Sequence, residues 1–440
     1  MKVLKFGGTS VGSIANIQKV KEIINNGEPK IVVLSAMSGS TNKLVELSQL
    51  IKSNQTNESR AIINQLEQKY LAAVSELIKQ EERAENIKTY ISQLSAQLQS
   101  FVDNQTSNYN EIVAQGELFS TFLVNQYLQE QGIASSLIPA LDFMRVDKEG
   151  EPDYFYIQQG LNRILKDTPN QEIYITQGFI CLDNDGEISN LKRGGSDYTA
   201  TIIGAAIKAE EVQIWTDIDG FHNNDPRFVD NTQSIAQLSF DEAAELAYFG
   251  AKILHPQTVI PVRELEIPVR LKNTNLPEAE GTLISNHITG EGIKAIAAKD
   301  DITTIKIKSE RMLLAHGFLK KVFEIFEKYE TSIDMITTSE IAVSLTIDNT
   351  TYLEEITAEL VKFSHVEVEE NKTIVCLVGN NIIHHENTPK LFHILQDVNV
   401  RMIAYGGSNN NISLLINTPD KEQTLQLLNQ YVFNTKPMFA

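Results

Sequence analysis

Cysteine is almost missing from this chain: among 440 residues there are two, Cys181 and Cys376, far apart and each inside an apolar run. Two isolated thiols exclude a disulfide framework and any cysteine-based metal or redox motif, so buried free thiols are expected. No apolar run approaches the length that a membrane span needs. Positive charge is in deficit, with 38 Lys and Arg against 57 Asp and Glu and a formal net charge of −19 at pH 7. That balance speaks against a nucleic acid or an anionic membrane as partner. A solvated acidic surface accounts for it. The start of the chain has no separate basic segment and no cleavage site, so a cytoplasmic protein is expected. Two loops are absent as well: G-x-x-x-x-G-K-[ST] of ordinary nucleoside triphosphatases and G-x-G-x-x-G of dinucleotide enzymes.

What is present is enough apolar residue, 42%, to build two or three domains with ample cores. From Met1 to about Thr41, strand and turn alternate: a strand over Val3–Phe6, a helix over Ser13–Asn25, and a continuous apolar strand over Ile31–Leu34. From Asn42 to about Asn110 the chain is rich in Gln, Asn, Glu and Lys. Leu44, Leu47 and Ile51, then Ile62, Ile63, Leu66 and Tyr70, recur there at helical intervals. Helices packed on one side of a main domain are expected. From Glu111 to about Ser285 strands (Ile173–Thr176, Gly178–Leu182, Val212–Thr216) alternate with helices (Thr199–Ala209, Phe240–Tyr248). This predicts an α/β fold with a mostly parallel sheet covered by helices. After Gly290 a smaller α+β unit occurs twice: Ile302–Ile307, Gly317–Tyr329, Ile341–Ile347 and Thr351–Phe363, then Thr373–Val378, Lys390–Val398, Arg401–Ala404, Ile412–Ile416 and Lys421–Tyr431. The glycine and polar residues around His287–Gly292 make a boundary, giving domains 1–290 and 291–440.

Two glycine loops carry the chemistry. Leu191-Lys192-Arg193-Gly194-Gly195-Ser196-Asp197 stands at the mouth of a helix, and Lys5-Phe6-Gly7-Gly8-Thr9-Ser10 follows the first strand. Glycines let backbone N–H groups come close to a ligand. Arg193 can grip a carboxylate or phosphate bidentately, and Asp197 can hold an ammonium. The set suits a zwitterionic amino acid held beside a phosphoryl donor.

The ordered segments KFGGTSV (from Lys5), VLSAMSGSTN (Val33), QGELFST (Gln115), LKRGGSDYTA (Leu191), IWTDIDG with NDPR (Ile214), FGAKILHP (Phe249) and KNTNLPEAEGTLI (Lys272) resemble the aspartate kinase family. GFL and SIDMITTSE extend the likeness into the tail. The resemblance implies an amino-acid-kinase catalytic domain and two ACT domains, one inserted in the other. It implies transfer of the γ-phosphoryl of ATP, taken with Mg²⁺, to the β-carboxylate of L-aspartate. Lys5 and Lys252 then neutralise phosphates, with Gly7, Gly8, Thr216, Asp217, His222 and Arg227 in the nucleotide site. Arg193 clamps the α-carboxylate and Asp197 stands near the α-ammonium, while Ser35, Thr41, Glu117, Gly194, Gly195 and Ser196 line the substrate site. Bringing a carboxylate to a triphosphate costs on the order of 4 kcal/mol per charge pair at about 4 Å, so fixed cations are required. No dedicated carboxylate cage for a metal is visible, so phosphates and water are expected to supply most Mg²⁺ ligands.

Plainer readings stand beside these. Glu117 can be a helix N-terminal carboxylate, Ser35 and Thr41 turn and cap residues, and Asp225-Pro226-Arg227 a structural turn. His255-Pro256 reads as a helix terminator. In the tail, Met312, Gly317, Phe318 and Leu319 match one side of an effector site and Ser332, Asp334, Thr338, Ser339 and Glu340 the other. Ile336-Thr337-Thr338-Ser339-Glu340 resembles the lysine-sensitive branch, which implies lysine as effector and a homodimer through the ACT domains, or a tetramer. Phe318 and Leu319 also fit a helix core, and Glu340 a solvated turn. Rival readings are a kinase of the same fold acting on glutamate, acetylglutamate or a nucleotide, and an amino-acid sensor with an inactive kinase domain.

Overall fold

A computed structural model describes all residues except 170, 192–193, 251–253, 288–289, 310–315, 387, 434–440 and the side chain of 392. Arg193, Lys252 and Met312 therefore lie outside the described residues. The chain divides into two compact units. The first comprises Met1–Phe221, Ala236–Phe240 and Leu254–Ile288, and the second His222–Ile235, Asp241–Ile253 and Thr289–Ala440.

In the first unit the strands are β1 (Lys2–Phe6), β2 (Lys30–Leu34), β3 (Ser135–Leu137), β4 (Ile173–Gln177), β5 (Ile180–Leu182), β6 (Ile188–Asn190), β7 (Val212–Thr216), β8 (Gln237–Leu238), β9 (Val269–Asn273) and β10 (Thr282–Ile284). One sheet has the order β3-β4-β2-β1-β7-β9-β10-β8, and only the β9–β10 pairing is antiparallel. β2 is buried along its whole length, as its unbroken Ile31–Leu34 run predicts for a central parallel strand. Lys5 stands mid-sheet, in register with Val33 and Ile214. The stretch expected as a strand over Gly178–Leu182 departs from this sheet. Phe179 takes φ 70°, and β5 folds back antiparallel on β6 as a separate ribbon.

Helices cover both faces. α1 (Ile14–Ile24) is capped by Ser13, whose Oγ accepts from Asn16 N at 3.2 Å, a contact worth about 1 kcal/mol. The Gln-rich stretch forms α2 (Ser40–Lys52), α3 (Thr56–Leu77) and α4 (Glu81–Asp103), and α5 (Tyr109–Glu130) follows. Their apolar stripes, including Leu44, Ile62, Leu66, Ile91 and Phe119, join Phe6, Val32 and Leu34 of the sheet in one core. α6 (Tyr154–Asp167), α7 (Gly195–Ile207) and α9 (Ile260–Arg263) complete the set, whereas α8 (Phe240–Tyr248) belongs from Asp241 onward to the second unit. α7 begins four residues before the predicted Thr199, because the two glycines are themselves the turn into the helix. His255 and Pro256 open a short 3₁₀ turn over Pro256–Val259, with His255 Nδ1 accepting from Gln257 N, so they start a helical segment rather than end one.

The second unit holds β11 (Gly292–Lys308), α10 (Phe318–Lys328), β12 (Ile336–Thr338), β13 (Ala342–Ile347), α11 (Leu353–Leu360), β14 (His365–Asn380), α12 (Thr388–Ile394), β15 (Met402–Ala404), β16 (Asn411–Asn417) and α13 (Lys421–Val432). The strands make an antiparallel sheet in the order β12-β13-β11-β14-β16-β15. β11 and β14 are longer than predicted and run through both repeats. Asp301, at φ 60° inside a register shift, breaks the alternation by which β11 is recognised. Two cores share the sheet: Ile305 and Ile307 pack with Phe318, Val322, Val343, Leu345, Ile356 and Leu360. Ile296 instead packs with Val375, Leu377, Ile412, Leu414, Leu425 and Leu428. The first core is thus nested in sequence between two parts of the second. Cys181 and Cys376 are buried free thiols.

Candidate active site

Loops that leave the C-terminal ends of β1, β2, β4 and β7 meet over the centre of the first unit's sheet, where parallel sheets bind ligands. They line an open cavity of about 510 Å³ formed by Gly7, Gly8, Ser35, Thr41, Glu117, Gly195, Ser196, Thr216 and Asp217, all expected site residues. Thr9, Ala36, Met37, Ser38, Gly39, Asn42 and Phe179 line it too, and these were missed.

Two helices open into the cavity by their N-termini. Thr41 and Asn42 lie in the first turn of α2, and Gly195 and Ser196 in that of α7. Helix starts present unsatisfied N–H groups and a positive dipole end, which suits phosphate or carboxylate. Gly194 makes the α7 entry possible. Its φ is 65°, and a Cβ there would lie 2.0 Å from Thr258 Cγ2, so no side chain fits. Lys5 Nζ stands 2.7 Å from Asp197 Oδ1, with side chains 12% and 17% exposed. Asp197 fixes the lysine that β1 delivers beside Gly7, where a Cβ on the glycine would be 3.3 Å from Nζ.

Glu117 supplies the opposite charge. It sits well inside α5 rather than at its N-terminus, so the helix-dipole reading does not hold. Its Oε1 accepts from Ala36 N at 3.2 Å, while Oε2 is buried with no hydrogen-bond partner among the described residues. Burial pushes its carboxyl up to about 7, against the pull of the Ala36 hydrogen bond. Ser35 Oγ donates to Ser196 Oγ at 3.0 Å, and Ser120 Oγ donates to Ser35 O at 2.8 Å, tying the β2 loop to α5 and α7. Lys69, unnoticed in the sequence, donates from α3 to Ser38 O at 2.6 Å and to Ser40 Oγ at 3.0 Å. It holds the loop before α2.

His222 and Arg227 do not line this cavity; both belong to the second unit. His222 Nδ1 is 3.1 Å from Thr232 Oγ1. Arg227 forks onto Asp225, 2.6 Å from Nη2 to Oδ2, and its side chain is 77% exposed, so the structural-turn reading describes it here.

The residues expected at an effector site divide sharply. Gly317 (φ 83°) caps α10, and Phe318 packs edge-on to Phe363 in the core, as its plainer reading has it. Leu319, by contrast, is 38% exposed. Ser332, Thr338, Ser339 and Glu340 are exposed. Asp334 differs from all of these, with a side chain 0% exposed and an ion pair to Lys299 at 2.9 Å. Among the described residues no group of three His, Cys, Asp or Glu could hold a metal ion, and no helix is long and apolar enough to cross a membrane.

Comparison with known proteins accords with this geometry. Residues 1–273 match the amino acid kinase family, and residues 375–431 match an ACT domain. The chain is 35% identical to lysine-sensitive aspartokinase 3 of Escherichia coli (strain K12), over 98% of this chain and 99% of that one. The solved structure of E. coli aspartokinase III with aspartate and ADP, in its R-state, superposes with a TM-score of 0.84 at 34% identity. That match covers 98% of this chain and 100% of the other. The same enzyme with lysine and aspartate, in its T-state, gives 0.83 at 33% identity, over 98% and 99%.

Proposed function

Because the chain belongs to the amino acid kinase family, and within it to the aspartokinases, we propose that its cavity transfers the γ-phosphoryl of ATP to the β-carboxylate of L-aspartate. The observation that carries this is the pairing of opposite demands in one cavity. Two helix N-termini on the lining call for anions, with the Lys5 ammonium next to lining residue Gly7, while the buried, half-satisfied Glu117 calls for a cation. An amino acid beside a polyphosphate meets both.

The β-carboxylate is ionised at neutral pH, with an ordinary value of about 3.9, so no general base is needed. Its oxygen forms the bond to the γ-phosphorus as the bond to the β,γ-bridging oxygen breaks, and ADP leaves. Lys5, held by Asp197, and the first-turn N–H groups of α2 and α7 offset the gathered negative charge. Glu117 Oε2 receives the α-ammonium, the role the resemblance implied for Asp197, whose Oδ1 here faces Lys5 instead. The motif resemblance supports Arg193 clamping the α-carboxylate, Lys252 neutralising phosphates and Thr216 and Asp217 bordering the nucleotide; it also assigns His222 and Arg227 to a nucleotide loop, although neither lines the cavity. Mg²⁺ enters as part of the nucleotide substrate, coordinated chiefly by phosphate and water. Residues 1–290 form the catalytic domain and 291–440 a regulatory pair of ACT domains; the nested cores support one ACT unit being inserted in the other. Lysine is the effector, bound through Asp334 with Met312, Gly317, Phe318, Leu319, Ser332, Thr338, Ser339 and Glu340. The protein works in the cytoplasm as a homodimer through its ACT domains.

The test is aspartate-dependent acyl phosphate formation, trapped with hydroxylamine, against glutamate and acetylglutamate. Product with aspartate alone supports the reading. Product with another acceptor moves the substrate, and ATP binding without turnover favours an amino-acid sensor.

A further inference from the structure

Asp334 uses its two carboxylate oxygens unequally. Oδ1 accepts from Tyr248 Oη at 2.7 Å and from Lys299 Nζ at 2.9 Å. Lys299 also reaches Asp348 at 2.8 Å and lies 4.2 Å from the centroid of the Tyr248 ring. Oδ2 is buried and has no hydrogen-bond partner among the described residues. An ionised carboxylate offers about four acceptor positions, and a buried oxygen left empty is costly. A cationic donor would remedy it.

Tyr248 ends α8, and α8 is tied to the second unit's sheet along one face. Glu242 pairs with Lys294 at 3.0 Å, Glu245 accepts from Asn411 Nδ2 at 2.6 Å, and Tyr248 donates to Asp334, a spacing of three residues each time. Just beyond the helix, Gly250 has φ 128°, and a Cβ there would lie 2.3 Å from Ala298 O. The chain leaving α8 is therefore seated on β11 next to Lys299. In sequence it runs on to Lys252, two residues later.

We infer that Tyr248 is the residue that couples effector binding to this segment. This rests on the lysine-effector reading and adds its route. Asp334 Oδ2 takes the effector's side-chain ammonium while Oδ1 holds Tyr248 and Lys299. A second cation at the carboxylate repels Lys299 and weakens Oδ1 as an acceptor, so α8, the helix that precedes Lys252 in sequence, loses its C-terminal anchor. Linkage makes the effect reciprocal: what the effector does to the Tyr248 contact, the contact does to the effector. Tyr248 is a positioning residue, and the ligand class it senses is an alkyl ammonium ion.

The experiment is calorimetric titration of the full-length protein with L-lysine, paired with the KM for ATP at each lysine concentration. Wild type, Tyr248→Phe and Lys299→Gln are compared, with norleucine as the probe lacking the ammonium. Tyr248→Phe keeps the ring and removes one O–H. It is expected to bind lysine about fivefold more tightly and to start from a raised KM for ATP that lysine moves less. Lys299→Gln is likewise expected to tighten lysine binding by removing the competing cation, and it carries the test should Tyr248→Phe not fold. Wild-type lysine affinity and inhibition in either folded variant would overturn the coupling and leave the effector reading standing. A wild type that binds no lysine, or binds norleucine equally, would overturn the effector reading and the coupling with it.

Discussion

In the first unit, residues distant in sequence converge on one open cavity, with Gly8, Thr41, Glu117, Ser196 and Thr216 arriving on five different segments. In the second unit most of the expected effector residues stay at the surface, and among the described ones Asp334 alone has a side chain wholly withdrawn from solvent. The difference teaches where each site's energy resides. On the proposed reading the catalytic cavity works through fixed backbone ends and a preset ion pair, which cost no reorganisation when charge gathers. The proposed effector region depends on one buried carboxylate whose neighbours can be exchanged. Changes in the first should abolish turnover, and changes in the second should alter its control.

Lys5→Met should show the largest effect. Removing the cation that Asp197 positions is expected to lower kcat about 10²–10³-fold, measured by hydroxamate formation, with the fold retained by circular dichroism. Glu117→Gln comes next, with an aspartate KM raised about tenfold or more, the size of a lost charge-assisted hydrogen bond. The pH dependence sharpens that expectation. Burial raises the folded carboxyl from its ordinary 4.5 to about 7, so below 7 aspartate must displace a proton to find the ionised form. Wild-type KM should therefore rise as pH falls below 7, and the Gln variant should lose that dependence. For stability the sign is opposite: a raised carboxyl contributes fully below 4.5, and its contribution is lost as pH rises towards 7. Denaturant titrations of wild type should show that decline and those of Glu117→Gln should not.

Gly194→Ala tests the backbone directly. A side chain at φ 65° facing Thr258 should cost about 1–3 kcal/mol, visible as a lowered Tm and weakened binding of both substrates. Glu340→Gln should do least. Its exposed carboxylate is screened, so lysine inhibition should shift by about twofold or less.

Much of the first region was legible because its signals are local. An apolar run names β2, and Gly194 and Gly195 announce the α7 entrance. Helical spacing placed the Gln-rich stretch, but it could not show that Lys69 reaches back to Ser38 and Ser40, since an amphipathic surface lysine looks the same wherever its tip goes. The β5–β6 ribbon was hidden because its apolar residues read as one more buried strand until Phe179 turned. In the second region the repeat was visible, while β11 was cut short by Asp300 and Asp301. The packing of segments 222–235 and 241–250 was least legible, although the helix over Phe240–Tyr248 was expected with the bounds it has. Both fall within the stretch matching the kinase family, yet they pack with the C-terminal unit through long-range contacts such as Asn224 to Leu425 and Glu245 to Asn411. No local pattern encodes contacts across such distances.

The most direct measurement is aspartate hydroxamate formation across a lysine titration in wild type, Lys5→Met and Asp334→Asn. The account predicts activity suppressed by lysine in wild type, almost none at any lysine concentration in Lys5→Met, and activity indifferent to lysine in Asp334→Asn. Turnover surviving in Lys5→Met, or wild-type inhibition in Asp334→Asn, would contradict it.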